Sequence, residues 1–287
     1  MKYQFIAEHA TDYPVQRQCR VLQLAVSGYY AWRKRQPSAR QQADTQLLDE
    51  IQVIYQQHAQ RYGSPRIHAV LKKQGWRCSR KRVARLMRQM HLRSVRQPRA
   101  RVHLTDSTHP YPVAANVLDR QFEAHSPNQK WVSDITYIPT RQGWLYLAAI
   151  LDLFSRRIVG WAMSACCDTV LVQNALHMAL SQRQPTAALL HHSDRGRQYA
   201  AHAYQALLTQ HHITVSMSRS GNCYDNAVME SFFRTLKAEC VDLHVFHSHP
   251  HARSLIFEFL EVYYNRQRLH STLDYCTPAA FEAAFSH

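Results

Sequence analysis

Three consecutive segments rich in β-branched and aromatic residues constrain the fold of this 287-residue chain more than any other feature. They cover residues 131–138, 144–154 and 157–163, and short turns separate them. This spacing predicts three strands joined by hairpins. Periodicity then predicts helices at 169–180, 201–209, 225–240 and 255–264, with strands at 187–192 and 213–217. The order of elements predicts the α/β class, with a mixed five-stranded sheet and flanking helices.

A block of positive charge precedes the predicted sheet. Residues 51–105 contain 14 Lys and Arg and no Asp or Glu, which nearly accounts for the net charge of +15 of the whole chain. Binding to a polyanion releases condensed counterions, so a domain-sized block of one sign predicts a nucleic-acid partner. A membrane surface is the competing partner, but no amphipathic anchor or lipidation motif accompanies the charge. The longest apolar stretch, 145–154, is too short to cross a bilayer.

Two short helices with a tight turn between them are predicted inside the basic block. Ser64 and Pro65 suit the start of the first helix, and Ser79 suits the N-cap of the second. This layout is typical of a helix-turn-helix whose second helix enters the major groove of DNA. A surface helix with a solvated charged face is the alternative interpretation. The candidate DNA contacts on the second helix are Arg80, Lys81, Arg82, Arg85 and Arg88.

Three acids carry the predicted chemistry of the second half of the chain. Asp134 lies within the first predicted strand, Asp194 follows the fourth, and Glu230 lies in a later helix. Clustered carboxylates suit hard cations such as Mg²⁺, and two such ions favour phosphodiester cleavage. Each acid alone is more often a cap of a turn or helix, so the prediction depends on the combination. On the helix of Glu230, Asn226, Arg234 and Lys237 share its face and are candidate DNA contacts.

The spacing and motifs of this region resemble those of a known family. Between Asp194 and Glu230 lie 35 residues, and Lys237 follows seven positions after the Glu. This arrangement resembles the DDE transposases and retroviral-type integrases. The motifs are most similar to the second-frame product of bacterial insertion sequences of the insertion-sequence-three group. They are YGSPRI (62–67), WVSDITY (131–137), HSDRG (192–196), SRSGNCYDNA (218–227), ESFF (230–233) and YNRQRLHS (264–271).

The resemblance implies a ribonuclease-H-like catalytic core and a transposase that cleaves transposon ends and catalyses strand transfer. It implies that Asp134, Asp194 and Glu230 are catalytic metal ligands, and that Lys237 contacts terminal DNA. Arg268 and His270 match family positions with supporting roles. The expected cofactor is Mg²⁺, two ions per site, with Mn²⁺ as a substitute. A non-catalytic regulator of transposition and a same-fold nuclease without joining activity stay open as alternatives.

The same reasoning predicts the domains, partners and location. We expect a helical N-terminal segment at 1–60, the basic helix-turn-helix at 61–94, a proline-containing linker at 95–128, the catalytic core at 129–245 and a helical extension at 246–287. The expected partners are terminal inverted repeats, target DNA, further copies of the chain, and the upstream-frame product or its fusion. The first residues lack the apolar run of a secretory signal, so a cytoplasmic, nucleoid-associated bacterial protein is expected.

Overall fold

A computed structural model describes residues 2–95, 109–185, 188–220 and 222–285. The chain divides into two compact units. The first comprises Met1–Gln60 and Val70–Arg93, and the second comprises Arg61–Ala69 and Ser94–His287. Within the described ranges, no helix combines the length and apolar character needed to cross a membrane.

The first unit is helical. Its helices are α1 (Lys2–Glu8), α2 (Val15–Val21), α3 (Val26–Lys34), α4 (Ala39–Gln57) and α6 (Arg80–Gln89). The side chain of Ser79 accepts a hydrogen bond from the backbone N–H of Arg82, at 3.2 Å, so it caps α6 as the sequence predicts. The buried stripe of α6 consists of Val83, Leu86 and Met87. Helix α5 (Ser64–Lys73) precedes it along the chain.

The second unit is built on a mixed five-stranded sheet, as predicted. The strands are β1 (Lys130–Thr140), β2 (Gly143–Asp152), β3 (Ile158–Ser164), β4 (Leu190–Ser193) and β5 (Thr214–Met217). Their order in the sheet is β3-β2-β1-β4-β5. The first three strands are antiparallel, whereas β4 pairs in parallel with both β1 and β5. The first strands therefore form by hairpins, and β4 arrives by a crossover.

Helices cover the sheet. They are α7 (Thr169–Arg183), α8 (Arg197–Ala200), α9 (His202–Gln210), α10 (Ala227–Glu239), α11 (His249–Phe257) and α12 (Pro278–Phe285). Gly160 on β3 lets α7 approach closely, because a Cβ at this position would lie 2.3 Å from the carbonyl oxygen of Ala175. The core between sheet and helices includes Trp131, Ile150, Leu176 and Leu208.

Two predicted helices have different boundaries in the structure. The helix predicted at 225–240 begins with a 3-10 turn, Cys223–Asn226, before α10. The helix predicted at 255–264 starts earlier, as α11, and continues as a π-helix, Glu258–Tyr264. Residues 186–187, at the start of the predicted fourth strand, lie outside the described residues.

Part of the predicted linker packs against the sheet unit. Residues 96–108 of the linker lie outside the described residues. Further along, Leu118 is 1% exposed, and its backbone N–H and that of Val117 each donate to the Ser216 hydroxyl at 2.9 Å. This side chain satisfies backbone groups that have no strand partner, so irregular chain can be buried here.

Candidate active site

Asp134 lies in the middle of β1, opposite Ala149 of β2. Its Oδ1 accepts a hydrogen bond from the backbone N–H of Ile135 at 2.8 Å. Burial raises the pKa of Asp134 well above its ordinary value, and the neighbouring charges of Asp194 and Glu230 raise it further. The Ile135 hydrogen bond and the Lys237 charge act in the opposite direction. The three predicted acids are therefore electrostatic neighbours, although they come from distant parts of the sequence.

Asp194 is the first residue after β4. The parallel pairing of Val132 with His192 brings this strand end beside the strand of Asp134. Oδ1 of Asp194 accepts a hydrogen bond from the backbone N–H of Gly196 at 2.8 Å. A Cβ at position 196 would lie 2.9 Å from the same oxygen, so only glycine leaves the carboxylate in this position without a shift.

Glu230 lies in the first turn of α10. The preceding Asn226 donates from Nδ2 to the carbonyl oxygen of Ser133 at 3.2 Å, which ties the start of the helix to the residue next to Asp134. Asn226 is only 6% exposed, and its Oδ1 is buried with no hydrogen-bond partner within the described part of the chain. We expected Asn226 to contact DNA, but burial instead gives it a position between the helix and the strand.

Lys237 and Arg234 lie further along α10 and differ in their surroundings. Nζ of Lys237 lies 4.3 Å from the centre of the Tyr137 ring. Burial lowers the pKa of Lys237, whereas the charges of Asp242 and Asp134 act to raise it. Arg234 is exposed. Lys237 thus places its charge beside the acids, and Arg234 presents its charge to solvent.

The donor set of this region fits a divalent metal ion in its chemistry. Carboxylate oxygens are the ligands that Mg²⁺ prefers, and a cation would relieve the repulsion that raises the pKa of Asp134. Within the described ranges, however, no three His, Cys, Asp or Glu side chains converge closely enough to enclose an ion. Of the two neighbouring acids, Asp194 has the larger effect on the pKa of Asp134, and Glu230 the smaller.

Asp225 is a residue that the sequence analysis missed. It is fully buried and accepts hydrogen bonds from the side chains of Asn116, Arg120 and Arg219, at 2.9, 2.9 and 3.0 Å. The hydrogen bond from Arg219 is the main reason why the pKa of Asp225 is well below its usual range. The network holds the chain immediately before Asn226 and Glu230. Its only signal in the sequence is the position of Asp225 inside the 218–227 motif.

The five predicted cations of α6 fall into two groups. Arg82 Nε and Arg85 Nη2 each lie 2.7 Å from a carboxylate oxygen of Asp44 on α4. Asp44 precedes the acid-free block, so two of the candidate DNA contacts have an anionic partner within the fold. Arg80, Lys81 and Arg88 are exposed.

Family models match most of the chain. Residues 124–223 and 211–278 each match a family described as an integrase core domain, and residues 41–101 match an HTH-like domain. Among solved structures, the chain is similar to the HTLV-2 integrase catalytic core domain in complex with magnesium. That match has a TM-score of 0.41 and 15% identity, and covers 56% of this chain and 99% of the other.

Bacterial relatives match nearly the whole chain. The insertion element IS600 uncharacterized 31 kDa protein of Shigella sonnei is 43% identical, over 93% of this chain and 98% of its own length. The transposase InsF for insertion sequence IS3A of Escherichia coli strain K12 is 41% identical, over 98% of both chains. The predicted family is thereby confirmed: this chain belongs to the transposases of the IS3 family of insertion sequences, DNA-binding enzymes that cleave DNA and transfer its strands.

Proposed function

We propose that Asp134, Asp194 and Glu230 form the catalytic centre of this transposase and bind two divalent cations, Mg²⁺ or its substitute Mn²⁺. The observation that carries the proposal is the pairing of β4 beside β1, which brings Asp194, directly after β4, next to the strand of Asp134. Burial raises the pKa of Asp134, and the charges of both other acids raise it further. All three acids lie in a unit whose sequence matches integrase cores. When bound, the cations would supply Lewis-acid activation of the phosphodiester and its attacking oxygen.

The residues of the chain have distinct parts in this mechanism. The Ile135 and Gly196 N–H groups hold the carboxylates of Asp134 and Asp194 in fixed orientations. Asn226 and Asp225 hold the start of α10, the helix that carries Glu230. Lys237 would bind a DNA phosphate beside the acids, since its ammonium group already lies in a partly buried position. Water attacks at the transposon end, and the freed 3′ hydroxyl then attacks a second phosphodiester.

We assign the binding of the transposon ends to α6 and α10. We propose that Arg80, Lys81 and Arg88 contact terminal repeats directly, and that Arg82 and Arg85 do so while Asp44 fixes their orientation. Arg234 and Lys237 would contact DNA near the cleavage point. Joining two ends requires that both be held in one complex, so we propose a dimer or larger assembly on terminal and target DNA, at the nucleoid. A monomer-sized active complex in light scattering would contradict the assembly.

The decisive experiment compares the wild type with Glu230→Gln in an end-cleavage and joining assay with Mg²⁺. Glutamine keeps the size of the side chain and removes its charge, so both steps should slow at least about a hundredfold. Glu258→Gln, at an exposed position on the π-helix, is the matched control and should keep wild-type rates. DNA affinity in a gel-shift assay should stay within about twofold for both variants. Products that persist in Glu230→Gln would refute the catalytic assignment.

A further inference from the structure

A cavity beside α10 is separate from the three acids. It has a volume of about 210 Å³ and lies between α10, the turn after β2 and the YNRQRLHS motif at 264–271. Its polar lining consists of Arg156, Ser231, Thr235, Tyr264, His270 and Thr272. Its apolar lining includes Leu151, Val228 and Phe232. None of the described residues that line it is acidic.

The guanidinium group of Arg156 is the main polar group of this cavity. Nη2 makes a long hydrogen bond, 3.5 Å, to the carbonyl oxygen of Phe122. Nη1 is buried and has no hydrogen-bond partner in the described ranges of the chain. The nearby Asp152 is already engaged, because its carboxylate accepts hydrogen bonds from the backbone N–H groups of Asn128 and Phe154, at 2.7 and 2.9 Å. A buried cationic donor without an acceptor is costly, and an anionic ligand would satisfy it.

The surroundings of the cavity carry further positive charge. The charges of Arg268, Arg156 and Arg66 add to burial in lowering the pKa of His270 to about 4. Glu239 neutralises part of this charge, because its carboxylate accepts a bidentate pair of hydrogen bonds from Arg268, each at 2.8 Å. Both carboxylate oxygens of Glu239 are thus engaged by Arg268. Among the described residues, no acidic side chain lines the cavity with Arg156.

We propose that this cavity binds a phosphodiester group of the DNA backbone. Arg156 would pair with the phosphate, the hydroxyl of Ser231 would donate to one of its oxygens, and the apolar floor would contact the deoxyribose. Ala227, Ser231 and Thr235 lie on one stripe of α10, whereas Glu230, Arg234 and Lys237 lie on another. The helix therefore contacts DNA on two faces, one at the cleavage point and one on its flank. This inference rests on the proposed function of the acids.

The first arm of the test measures binding of a small anion to the full chain. Inorganic phosphate should raise the melting temperature of the wild type, and tungstate should give an anomalous diffraction peak next to Arg156. Both effects should be absent in Arg156→Gln and in Ser231→Glu. Ser231→Glu places a carboxylate at the exposed edge of the cavity and leaves Arg156 intact. It therefore still tests anion binding if Arg156→Gln folds poorly. Arg253→Gln and Ser254→Glu, at exposed positions of α11, are the matched controls.

The second arm measures DNA binding as a function of salt. Loss of one phosphate contact should reduce the slope of log K against log salt concentration by about 0.9, and should weaken binding by roughly tenfold at moderate salt. Both cavity variants should show this change, and both controls should keep the wild-type slope. Phosphate binding with an unchanged slope in the two cavity variants would overturn the DNA assignment. Failure of phosphate to stabilise the wild type, together with an unchanged slope in Ser231→Glu, would overturn the site itself.

Failure of this proposal is distinguishable from failure of the catalytic one. In Arg156→Gln and Ser231→Glu, the phosphate-induced rise in melting temperature and the salt slope should both fall, and neither readout depends on the three acids. Glu230→Gln should show the reverse, with normal DNA binding and lost cleavage.

Discussion

Gly196 shows how a single residue fixes the geometry of the site. Its φ of −60° suits any amino acid, so the position demands glycine only for space. In Gly196→Ala, the new Cβ displaces the Asp194 carboxylate by a few tenths of an ångström, and strand transfer should fall about tenfold. The free energy of unfolding should stay level or rise by about 0.4–1 kcal/mol, because alanine restricts the unfolded chain. Strand-transfer rates and urea titrations of the same preparation measure the two quantities.

Gly143→Ala is the opposite control for this experiment. Gly143 has a φ of +100° and no neighbour within 4 Å of the added Cβ, so alanine costs backbone strain without touching the acids. Its unfolding free energy should fall by about 1–3 kcal/mol, whereas its activity well below the melting temperature should be unchanged. Equal activity of Gly196→Ala and wild type would show that Asp194 tolerates displacement.

At the residue scale, the sequence singles out the three acids more clearly than the residues that surround them. Asp134, Asp194 and Glu230 stand in motifs that resemble those of a known family. The sequence does not single out Asp225 in this way, because an Asp before a helix usually caps that helix. Only the fold shows that Arg120 and Arg219 both bind its carboxylate. The burial of Asn226 could not be predicted either. Helical periodicity places it on the face of Glu230, but it does not predict the hydrogen bond from Asn226 to the carbonyl oxygen of Ser133.

At the scale of the element, the far end of α10 is as firmly held as its start. Glu239 is 6% exposed and receives both hydrogen bonds from Arg268, and Nη1 of Arg66 lies 3.5 Å from its Oε1. Glu239→Gln would leave the buried guanidinium group of Arg268 and the partly buried one of Arg66 without this counter-charge, which should cost about 3–5 kcal/mol of unfolding free energy. Urea unfolding measures the loss, with the exposed Glu258→Gln as control. A loss below about 1 kcal/mol would mean that water replaces the carboxylate.

Most element boundaries follow from the sequence, and one helix start does not. Runs of β-branched and aromatic residues predict β1 to β3 within two residues, whereas α11 begins six residues before the predicted position. Its start signals are present, since the Ser248 side chain accepts from the N–H of His251 and Pro250 lies in the first turn. The π-helix that follows could not be predicted from a period of 3.6 residues, because its hydrogen bonds span five.

At the scale of the whole molecule, buried histidines make stability depend on pH. Burial is the main cause that lowers the pKa of His191 to about 3 and that of His270 to about 4, from an ordinary value of 6.5. Both are neutral in the folded protein and take up protons on unfolding, so their contribution is complete above pH 6.5 and is lost as the pH falls toward 4. Each can remove up to about 1.4 kcal/mol per pH unit in this window.

Chemical unfolding at a series of pH values between 7 and 4.5 tests this dependence. Acidification should remove the contribution of the two histidines to the free energy of unfolding, whereas the raised pKa of Asp134 acts in the opposite direction. On acidification, His191→Asn should therefore lose less stability than the wild type. His177→Asn, at an exposed position of α7, should retain the wild-type slope. Parallel curves for His191→Asn and the wild type would show that His191 is not the group that takes up the proton.

The parallel pairing of β4 with β1 has a consequence for the chain during synthesis. The hairpins of β1 to β3 are local, but β4 must cross back over them, and Glu230 emerges later still. A ribosome that stalls near residue 220 therefore releases a product with both aspartates and without the third acid. Such a truncated product keeps the basic segment at 51–105 and lacks Glu230, one of the three acids of the proposed catalytic centre. We therefore expect it to bind DNA without cleaving it.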